Sequence, residues 1–415
     1  MNRWQRLLAT AAGAALAAGC QPAPRHPAVV APAPRAGGPL RVALASRVPD
    51  AAVRTEGACE VRCDGSRWIE SAGSTLRFTV RDGRIGLALP RGGEATDARS
   101  IRLAPASDDA RLRYGDLPYA GELHVVLDAG ALTIVNEVEV EDYLRGVVPW
   151  EIGRPGPDAQ AAVESQTIAA RTYAESRRGQ FPLFDLWADE RDQVYRGLER
   201  PDPTADHAIS ATRGLVLEHH GDLIQAYYSS TCGGHTSRIE EVWDKPAAPY
   251  LVGGRDAPSD EAASFCSASP HFRWAEAWSG ADLDQTVRVT LPRVLNWPAG
   301  RDPGGLVDLR LGERDRSGRV TVLEVVTTTG TYPVRGDAMR WVLKPKDRTL
   351  LRSTMFVLEI EREAGVIVRV AARGGGSGHG VGMCQTGALA MARAGYDRDA
   401  ILARYYPGVH VRSAN

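Results

Sequence analysis

The chain has 415 residues, with 50 basic and 51 acidic side chains and a formal net charge of −1. This balance excludes the basic surface typical of nucleic-acid-binding proteins. Hydrophobic residues make up 43% and charged residues 24% of the chain, so it is not disordered as a whole. At roughly 150 residues per domain, the length predicts two or three units.

The first 38 residues are typical of an export signal and a tether. Residues 7–19 form a small-residue apolar run, which is too short for a membrane span of about 20 residues and suits a signal peptide. The run ends in Leu16-Ala17-Ala18-Gly19-Cys20, which resembles a bacterial lipobox. We therefore expect a lipoprotein-type signal peptide at 1–20, lipidation at Cys20 and a Pro/Ala-rich linker at 21–38, with plain secretion as the alternative. The predicted location is the cell envelope, on the periplasmic face of a membrane that the protein meets only through its lipid.

The predicted location in the cell envelope suggests that the remaining cysteines form disulfides. Disulfides form in oxidising compartments outside the cytoplasm. The pairs Cys59/Cys63 and Cys232/Cys266 are predicted to be disulfides, and Cys384 is left without a partner.

The order of predicted elements favours an α+β fold. Alternating apolar and polar residues predict strands in a β-rich N-terminal region over 39–136. A mixed α/β core follows over 137–270, with helices at 141–148 and 158–176 and strands at 214–217 and 223–229. We expect Pro149 to end the first of these helices. A β-rich insertion at 271–370, with strands at 287–290, 320–327 and 355–360, separates this core from its C-terminal part at 371–412, with helices at 384–394 and 397–406.

Two stretches of the core carry polar residues whose roles the sequence leaves open. Glu151 lies in Pro149-Trp150-Glu151-Ile152-Gly153, predicted to be a loop, where apolar neighbours would raise the pKa of its carboxyl group and suit it to acid catalysis. The alternative is a solvated loop glutamate. Arg171 interrupts a small-residue helix, where it would orient a carboxylate or a sugar, or else extend to solvent.

A third stretch, at residues 227–236, runs from an apolar strand end into hydroxyl groups, two glycines and His235. It suits a polar ligand that approaches the backbone closely. The alternatives are a nucleophilic Cys232 paired with His235, a zinc site formed by Cys232, His235, His379 and Cys384, or a polar turn closed by a disulfide.

The fourth stretch, at residues 374–385, is rich in glycine and contains His379 and Gln385. It lacks the Gly-x-Gly-x-x-Gly spacing, and no lysine follows Lys346 to complete a Walker A motif. Nucleotide binding is therefore excluded, and a flexible glycine linker is the remaining alternative to a ligand site.

Laid in order, these stretches resemble the sporulation stage II protein D family, which includes the amidase enhancer of cell-wall lysis. The matching blocks begin at Val140-Glu141-Asp142-Tyr143-Leu144 and continue through Gly146 to Glu151, and through Gln166 with residues 169–173. They resume at residues 192–197, 229–234, 242–243 and 249–251, and end at residues 378–388. The blocks span about 250 residues in order, which makes the match specific.

The resemblance implies a lytic transglycosylase that cleaves peptidoglycan glycan strands, notably strands stripped of their stem peptides. The family's catalytic glutamate corresponds to Glu151. Other blocks line the substrate groove in the family, which implies substrate-binding roles for Arg171, Gln193, Tyr195, Tyr228, Ser229, His235, His379 and Gln385. Some members hold zinc through Cys and His residues just before the Gln-Val-Tyr block, but residues 186–192 contain neither type, so we predict no metal and no cofactor.

One carboxyl group suffices for such a reaction if an intramolecular hydroxyl takes the place of water. The predicted partners are glycan strands and, by kinship with the enhancer, a cell-wall amidase. The alternatives are a non-catalytic glycan-binding enhancer of an amidase and a hydrolase that uses Cys232 as nucleophile.

Overall fold

The computed structural model describes residues 37–89 and 94–414, with the side chains of residues 94–97 left out of the description. The predicted signal peptide, Cys20 and the linker up to residue 36 lie outside the described residues. Within the described part of the chain, no helix has the length and apolar character needed to cross a membrane.

The N-terminal region folds into two sheets, antiparallel except at one edge strand, whose inward side chains share one core. One sheet has the order β13-β1-β12-β11-β8-β3-β4 and the other β10-β9-β2-β5-β6-β7. These strands are β1 (Leu40–Val48), β2 (Asp50–Thr55), β3 (Cys59–Cys63), β4 (Ser66–Glu70), β5 (Thr75–Arg81), β6 (Arg84–Ala88), β7 (Glu94–Ala98), β8 (Ser100–Pro105), β9 (Leu112–Tyr114), β10 (Leu117–Tyr119), β11 (Glu122–Asp128), β12 (Ala131–Val138) and β13 (Leu186–Trp187).

The edge strand β13 links this region to the rest of the molecule. It comes from the following core and pairs parallel to β1, with Leu186 opposite Val42. The buried side chains of both sheets and of the core helices form a single continuous hydrophobic cluster. The strand-rich N-terminal region is therefore packed onto the core rather than suspended beside it.

The helix that carries Glu151 is longer than predicted. Helix α1 covers Val140–Glu151 and contains Pro149 in its last turn. The prediction that Pro149 ends the helix is wrong, because the N–H of Ile152 still bonds to the carbonyl of Val148 at 3.2 Å. Glu151 is thus the final helical residue and not part of a loop between helices.

Helix α2 (Gln160–Ser176) lies at the centre of the core and follows a 3₁₀ turn at Pro157–Ala159. Its predicted position is confirmed. Ala162, Val163, Ala169, Ala170 and Ala174 are almost fully buried because α2 packs against α1 and three further helices. Small side chains permit that close approach. The other elements of this part are α3 (Pro203–Ala211), β14 (Leu215–His219), β15 (Asp222–Leu223), β16 (Tyr228–Ser229), β17 (His235–Arg238), α4 (Ile239–Val242), β18 (Val252–Arg255) and a 3₁₀ helix at Phe265–Ala268.

The insertion has a hydrophobic core of its own. Its predicted strand at 287–290 is wrong, because these residues lie in a helix that starts after Ser279, whose hydroxyl caps the N–H of Asp282. Leu283, Val287 and Leu291 recur every four residues and are buried on one face of that helix. The elements are β19 (Trp274–Ser279), α5 (Gly280–Val294), β20 (Leu306–Leu311), β21 (Val322–Thr327), β22 (Gly330–Arg335), a 3₁₀ turn at Gly336–Ala338, α6 (Met339–Val342), β23 (Phe356–Glu363) and β24 (Val366–Gly374).

The C-terminal segment returns to the core. It comprises β25 (Met383–Cys384), α7 (Gln385–Arg393), α8 (Arg398–Tyr405) and β26 (His410–Ser413), which confirms the two predicted helices. Strand β25 pairs parallel to β16, so that Cys384 lies opposite Ser229. This pairing brings together two blocks that are about 150 residues apart in the sequence. The predicted α+β fold class, with a strand-rich N-terminal region, is confirmed.

The predicted disulfide between Cys59 and Cys63 is wrong. Both residues lie in β3, four positions apart, and both are free. Residues so spaced in a strand are about 13 Å apart, whereas a disulfide needs Cα atoms within about 7 Å. Both side chains instead fill the core under the sheet.

Candidate active site

Glu151 is held at the C-terminal end of α1 by the turn after β13. Its Oε1 accepts a hydrogen bond from the N–H of Val194 at 2.8 Å, and its side chain is only half-buried. Burial in dense surroundings raises the pKa of Glu151 to about 7, while hydrogen bonds from Val194 and Gln385 oppose the shift and the charge of Glu190 adds to it. Near neutral pH the carboxyl group is therefore able both to give and to take a proton.

A buried glutamine joins two tyrosines beside this carboxyl group. Tyr143 donates to Oε1 of Gln193 at 2.9 Å, and Nε2 of Gln193 donates to the hydroxyl oxygen of Tyr228 at 2.6 Å. Burial, and then the charges of nearby acids including Glu151, raise the pKa of both tyrosines far above the usual value. Both hydroxyls stay protonated, and the hydrogen of Tyr228 is left for another acceptor because its oxygen already accepts from Gln193.

Two further amides, those of Gln385 and Gln166, form a hydrogen-bonded chain that ends at Glu151. Gln385, the first residue of α7, donates a side-chain hydrogen bond to Glu151. Its Nε2 also donates to Oε1 of Gln166 on α2 at 3.3 Å. Gln385 is 5% exposed and Gln166 is fully buried. Gln385 thus provides a neutral hydrogen-bond donor to the acid, and Gln166 holds the amide of Gln385 in place.

The turn that supplies Val194 is fixed by Asp192. This carboxylate accepts from the hydroxyl of Tyr173 at 2.8 Å and from the N–H of Trp187 at 2.8 Å. It also forms an ion pair with Arg177 at 3.1 Å. Since Asp192 is engaged by three partners, it positions the turn and is not available as a second catalytic carboxylate.

His379 is a neutral residue that orders the glycine-rich turn. Its Nδ1 accepts the N–H of Val381 at 3.1 Å, and its ring also hydrogen-bonds to the backbone of Tyr228. Burial, followed by the charges of Arg340 and Arg319, lowers the pKa of His379 to about 4 despite the opposing charge of Asp337. His379 therefore holds the turn next to Tyr228 without carrying charge at neutral pH.

A row of aromatic rings extends from this histidine. His379 lies 4.8 Å from Trp243 between ring centres, Trp243 lies 4.9 Å from Tyr227, and Tyr227 lies 5.7 Å from Tyr173. Trp243 is half-exposed, and the ammonium group of Lys245 lies 5.4 Å from its ring centre. The sequence predicts no role for these tyrosine and tryptophan side chains or for Tyr143, although Tyr143, Tyr173 and Trp243 lie inside the blocks that match the family.

Trp150, one of the apolar neighbours expected to raise the pKa of Glu151, packs against other groups. Its ring is flanked by the guanidinium groups of Arg196 and Arg200, which lie 4.6 and 3.8 Å from the ring centre. Glu151 is enclosed instead by the tyrosines and amides described above. Adjacent residues on a helix point about 100° apart, which explains the different surroundings of these two side chains.

Two of the predicted groove residues belong to the core. Arg171 is 2% exposed and pairs with Glu141 at 2.7 Å, while its Nη1 donates to the carbonyl of Leu215 at 3.1 Å. Tyr195 is also 2% exposed and donates to Oδ1 of Asn136 on β12 at 2.7 Å. The expectation that Arg171 and Tyr195 contact substrate is therefore replaced by a structural role for both residues.

The remaining candidates, Ser229 and His235, lie in two short strands of the core. Ser229 is buried in β16, where Gly378 approaches so tightly that a Cβ would lie 2.7 Å from the Ser229 Cβ. His235 begins β17, and its Nδ1 lies 2.8 Å from the carbonyl of Thr236. Ser229 thus packs against the glycine-rich turn, and the ring of His235 contacts the backbone of Thr236.

The structure contradicts the roles considered for Cys232 as a nucleophile, as a zinc ligand together with two histidines and as half of a disulfide. Cys232 is fully buried, and burial raises the pKa of its thiol well above the usual value, which is unfavourable for a nucleophile. Neither His235 nor His379 accompanies it, since its neighbours are Cys266, Cys384 and Asp256. The sulfur atoms of Cys232 and Cys266 are 3.5 Å apart and both cysteines are free, so the predicted disulfide is not formed in this structure.

The fold and site define an α+β protein with a half-buried acid, Glu151, among tyrosine, amide and aromatic side chains. The family model described as Stage II sporulation protein matches residues 128–219, which include Glu151 and Gln193. A second model, described as a domain of unknown function, matches residues 260–382, which contain the insertion.

Curated relatives extend the likeness beyond those residues. An uncharacterized protein of Brachyspira hyodysenteriae is 30% identical over 308 residues, which cover 72% of this chain and 73% of the relative. The Amidase enhancer of Bacillus subtilis is 30% identical over 293 residues, covering 65% of this chain but only 40% of that protein. Stage II sporulation protein D of Bacillus subtilis is 26% identical over 301 residues, covering 68% and 76%. The chain belongs to the sporulation stage II protein D family.

Proposed function

We propose that the protein is a lytic transglycosylase that cleaves peptidoglycan glycan strands between N-acetylmuramic acid and N-acetylglucosamine. The observation that carries the proposal is Glu151, a half-buried carboxyl group with a pKa of about 7 that is held by Val194 and Gln385. Family membership supports a role in cell-wall turnover. The proposed substrate is peptidoglycan glycan strands that carry no stem peptides.

In the proposed reaction, protonated Glu151 donates its proton to the glycosidic oxygen, and the bond from that oxygen to the muramic acid C1 breaks. The resulting oxocarbenium-like sugar is attacked at C1 by its own 6-hydroxyl, which gives a 1,6-anhydro ring. The ionised Glu151 takes the proton of that hydroxyl and so returns to its starting form. Proximity of the hydroxyl replaces the water and the second carboxylate of ordinary glycosidases.

The surroundings of Glu151 suit a neutral polar sugar. Gln193, Gln385 and Tyr228 offer hydrogen-bond donors and acceptors without net charge. Aromatic faces such as the half-exposed Trp243 provide apolar stacking surface, which small-ligand sites combine with a few placed polar groups. We propose that Trp243 and Tyr228 contact the glycan and that Gln193 positions Tyr228.

The test is cleavage of purified glycan strands from which stem peptides have been removed. The wild-type protein should release products with 1,6-anhydro-muramic ends, detected by mass spectrometry. Glu151→Gln should lower the rate about 10²–10⁴-fold, as expected for loss of a general acid, while strand binding persists. Glu363→Gln, an exposed carboxylate in the insertion, is the matched control and should retain the wild-type rate.

The second candidate is a non-catalytic glycan-binding enhancer of a cell-wall amidase, which the name of the Bacillus subtilis relative favours. It predicts that the wild-type protein binds strands without cleaving them and accelerates an added amidase. That outcome, with Glu151→Gln equally effective, would replace the transglycosylase proposal.

We also propose that the protein is anchored at the cell envelope through a lipid on Cys20. Cys20→Ala should move the protein from the membrane fraction to the soluble fraction of the envelope. Mass spectrometry of the mature N-terminus should detect acylation on Cys20 in the wild-type protein. An unacylated N-terminus would indicate plain secretion.

A further inference from the structure

Four buried side chains from distant parts of the sequence converge on one point in the core. The potential ligand atoms of Cys232, Asp256, Cys266 and Cys384 all lie within 4.8 Å of one another. Cysteines 232, 266 and 384 are fully buried and Asp256 is 1% exposed. They come from the turn after β16, the residue after β18, the 3₁₀ helix at Phe265–Ala268 and the end of β25.

The distances between the atoms of this cluster fit ligands of one metal ion better than they fit a disulfide bond. The sulfurs of Cys232 and Cys266 are 3.5 Å apart, and the Cys232 sulfur lies 3.2 Å from Oδ2 of Asp256. A disulfide has an S–S distance of about 2.05 Å. Four ligands around a tetrahedral Zn²⁺, with Zn–S of about 2.3 Å, have sulfur atoms about 3.8 Å apart. The cluster therefore needs only small shifts to enclose such an ion.

Hydrogen bonds around the cluster orient its members as ligands. Tyr405 donates to Oδ1 of Asp256 at 2.8 Å, which leaves Oδ2 directed toward the sulfurs. The sulfur of Cys384 accepts the N–H groups of Cys232 at 3.2 Å and Gly387 at 3.4 Å, at the N-terminal end of α7. Such outer contacts fix the orientation of metal ligands, and a helix N-terminus favours a thiolate.

Close packing against α7 restricts the orientation of the Asp256 side chain. A Cβ on Gly387 would lie 2.3 Å from the Tyr405 hydroxyl and 2.8 Å from each carboxylate oxygen of Asp256. Glycine at this position of α7 therefore allows both groups to reach the cluster. The buried guanidinium of Arg319 also donates to the carbonyl of Cys232 at 2.7 Å, so a positive charge stands beside these acidic groups.

We infer that Cys232, Cys266, Cys384 and Asp256 bind one Zn²⁺ ion in a closed structural site. Thiolates select soft tetrahedral ions, and four protein ligands leave no open position for a catalytic water. Binding displaces the thiol protons, which pass to solvent, and involves no oxidation. The site differs from the Cys/His arrangement considered from the sequence, because Asp256 and Cys266 replace the two histidines.

The site would tie together segments on which the proposed active site depends. Cys384 immediately precedes Gln385, and its strand pairs with the strand of Tyr228 and Ser229. The ion would fix both segments, but the metal site itself does not depend on the proposed reaction. Metal binding and strand cleavage are therefore tested separately.

The test is the metal content of the full mature chain, purified without chelators from cells supplied with zinc. We expect about one zinc per chain by plasma mass spectrometry, retained in Cys63→Ser and Glu151→Gln and lost in Asp256→Asn and Cys384→Ser. The wild-type protein, stripped by a chelator and given Co²⁺, should show the near-ultraviolet thiolate-to-cobalt charge-transfer band. This second measurement does not depend on the folding of the variants.

The proposal is overturned if the folded wild-type protein carries no zinc and takes up neither Zn²⁺ nor Co²⁺ after treatment with a thiol reductant. A Cys232–Cys266 disulfide that survives in the native protein, seen by mass spectrometry of unreduced peptides, would have the same meaning. Loss of strand cleavage with zinc retained would instead count against the proposed enzyme activity alone.

Discussion

Oε1 of Glu151 accepts the backbone N–H of Val194 at 2.8 Å, which joins the last residue of α1 to the turn after β13. The contact comes from a peptide group and so does not depend on a neighbouring side-chain type. It stabilises the ionised carboxylate and opposes the larger effect of burial. The resulting balance leaves the pKa of Glu151 at about 7, where small changes nearby alter its protonation.

The first prediction concerns the pH dependence of strand cleavage. The reaction begins with protonated Glu151, whose pKa of about 7 lies above the usual value of 4.5 because burial disfavours the charged form. The value of kcat/KM should be level below pH 7 and fall about tenfold per pH unit well above it. Initial rates on peptide-free strands between pH 5 and 9, about two units either side of the pKa, provide the measurement. A rate that rises through this range would contradict the assignment of Glu151 as the acid.

The second prediction uses the two side chains that act on the pKa of Glu151 in opposite directions. Gln385→Leu removes a hydrogen-bond donor that lowers the pKa, so the fall in rate should move to higher pH. Glu190→Gln removes a negative charge that raises the pKa, so the fall should move to lower pH. The pH profiles of both variants, measured at one ionic strength, give the two shifts. Equal shifts in one direction would mean that the profile reports a different group.

The third prediction concerns stability. The native state holds the proton of Glu151 up to about pH 7, whereas the unfolded chain releases it near 4.5, so this contribution to stability is present below 4.5 and lost as the pH rises to about 7. Glu151→Gln avoids that loss. At pH 8 the variant should therefore be more stable than the wild-type protein, by about 1–3 kcal/mol for a half-buried group, and the difference should shrink at pH 5. Urea unfolding at both pH values measures it, and a larger gain at pH 5 would contradict the argument.

Part of the surroundings of Glu151 could be predicted from the sequence because the blocks that match the family contain these residues in order. The resemblance implies site roles for Glu151, Gln193, Tyr228 and Gln385, and the structure brings these four side chains together. The substrate contact expected for Arg171 is wrong, because a sequence does not show whether a guanidinium group has a buried partner. The partner here is Glu141, which lies on α1. Local pattern identifies polar residues in apolar surroundings but not the contact that each one makes.

The wrong predictions about the fold have the same cause, because a local pattern does not show contacts between distant segments. A β-branched run at 287–290 favours a strand locally, yet the Ser279 cap and the four-residue spacing from Leu283 to Leu291 place it in a helix. The cysteine cluster depends on the parallel pairing of β16 with β25, which joins residues about 150 positions apart. No local signal specifies that pairing, so the convergence of Asp256 with three cysteines was not predictable from spacing.

The fourth prediction separates a structural role for Arg171 from a role in binding. Arg171→Met leaves Glu141, whose side chain is 14% exposed, without its positive partner. Loss of one member of a buried ion pair costs about 3–5 kcal/mol, and the double variant Arg171→Met/Glu141→Leu should recover much of that loss. Thermal unfolding of the two variants gives the comparison. An unchanged unfolding temperature with a raised KM for glycan strands would instead indicate that Arg171 binds substrate.

The fifth prediction tests the hydrogen-bonded chain Tyr143–Gln193–Tyr228. Gln193→Leu leaves two buried hydroxyls without their partner, at a cost of about 2–4 kcal/mol, and Tyr143→Phe alone should cost about 1–2 kcal/mol. Because both changes remove the same bond, the double variant should be less destabilised than the sum of the single variants. The midpoints of urea unfolding of the wild-type protein, the two single variants and the double variant give this double-mutant cycle. Tyr396→Phe, at an exposed position, is the control and should change stability by less than about 0.5 kcal/mol. Full additivity would mean that the two residues are not coupled, and the position of Tyr228 beside Glu151 would then need another support.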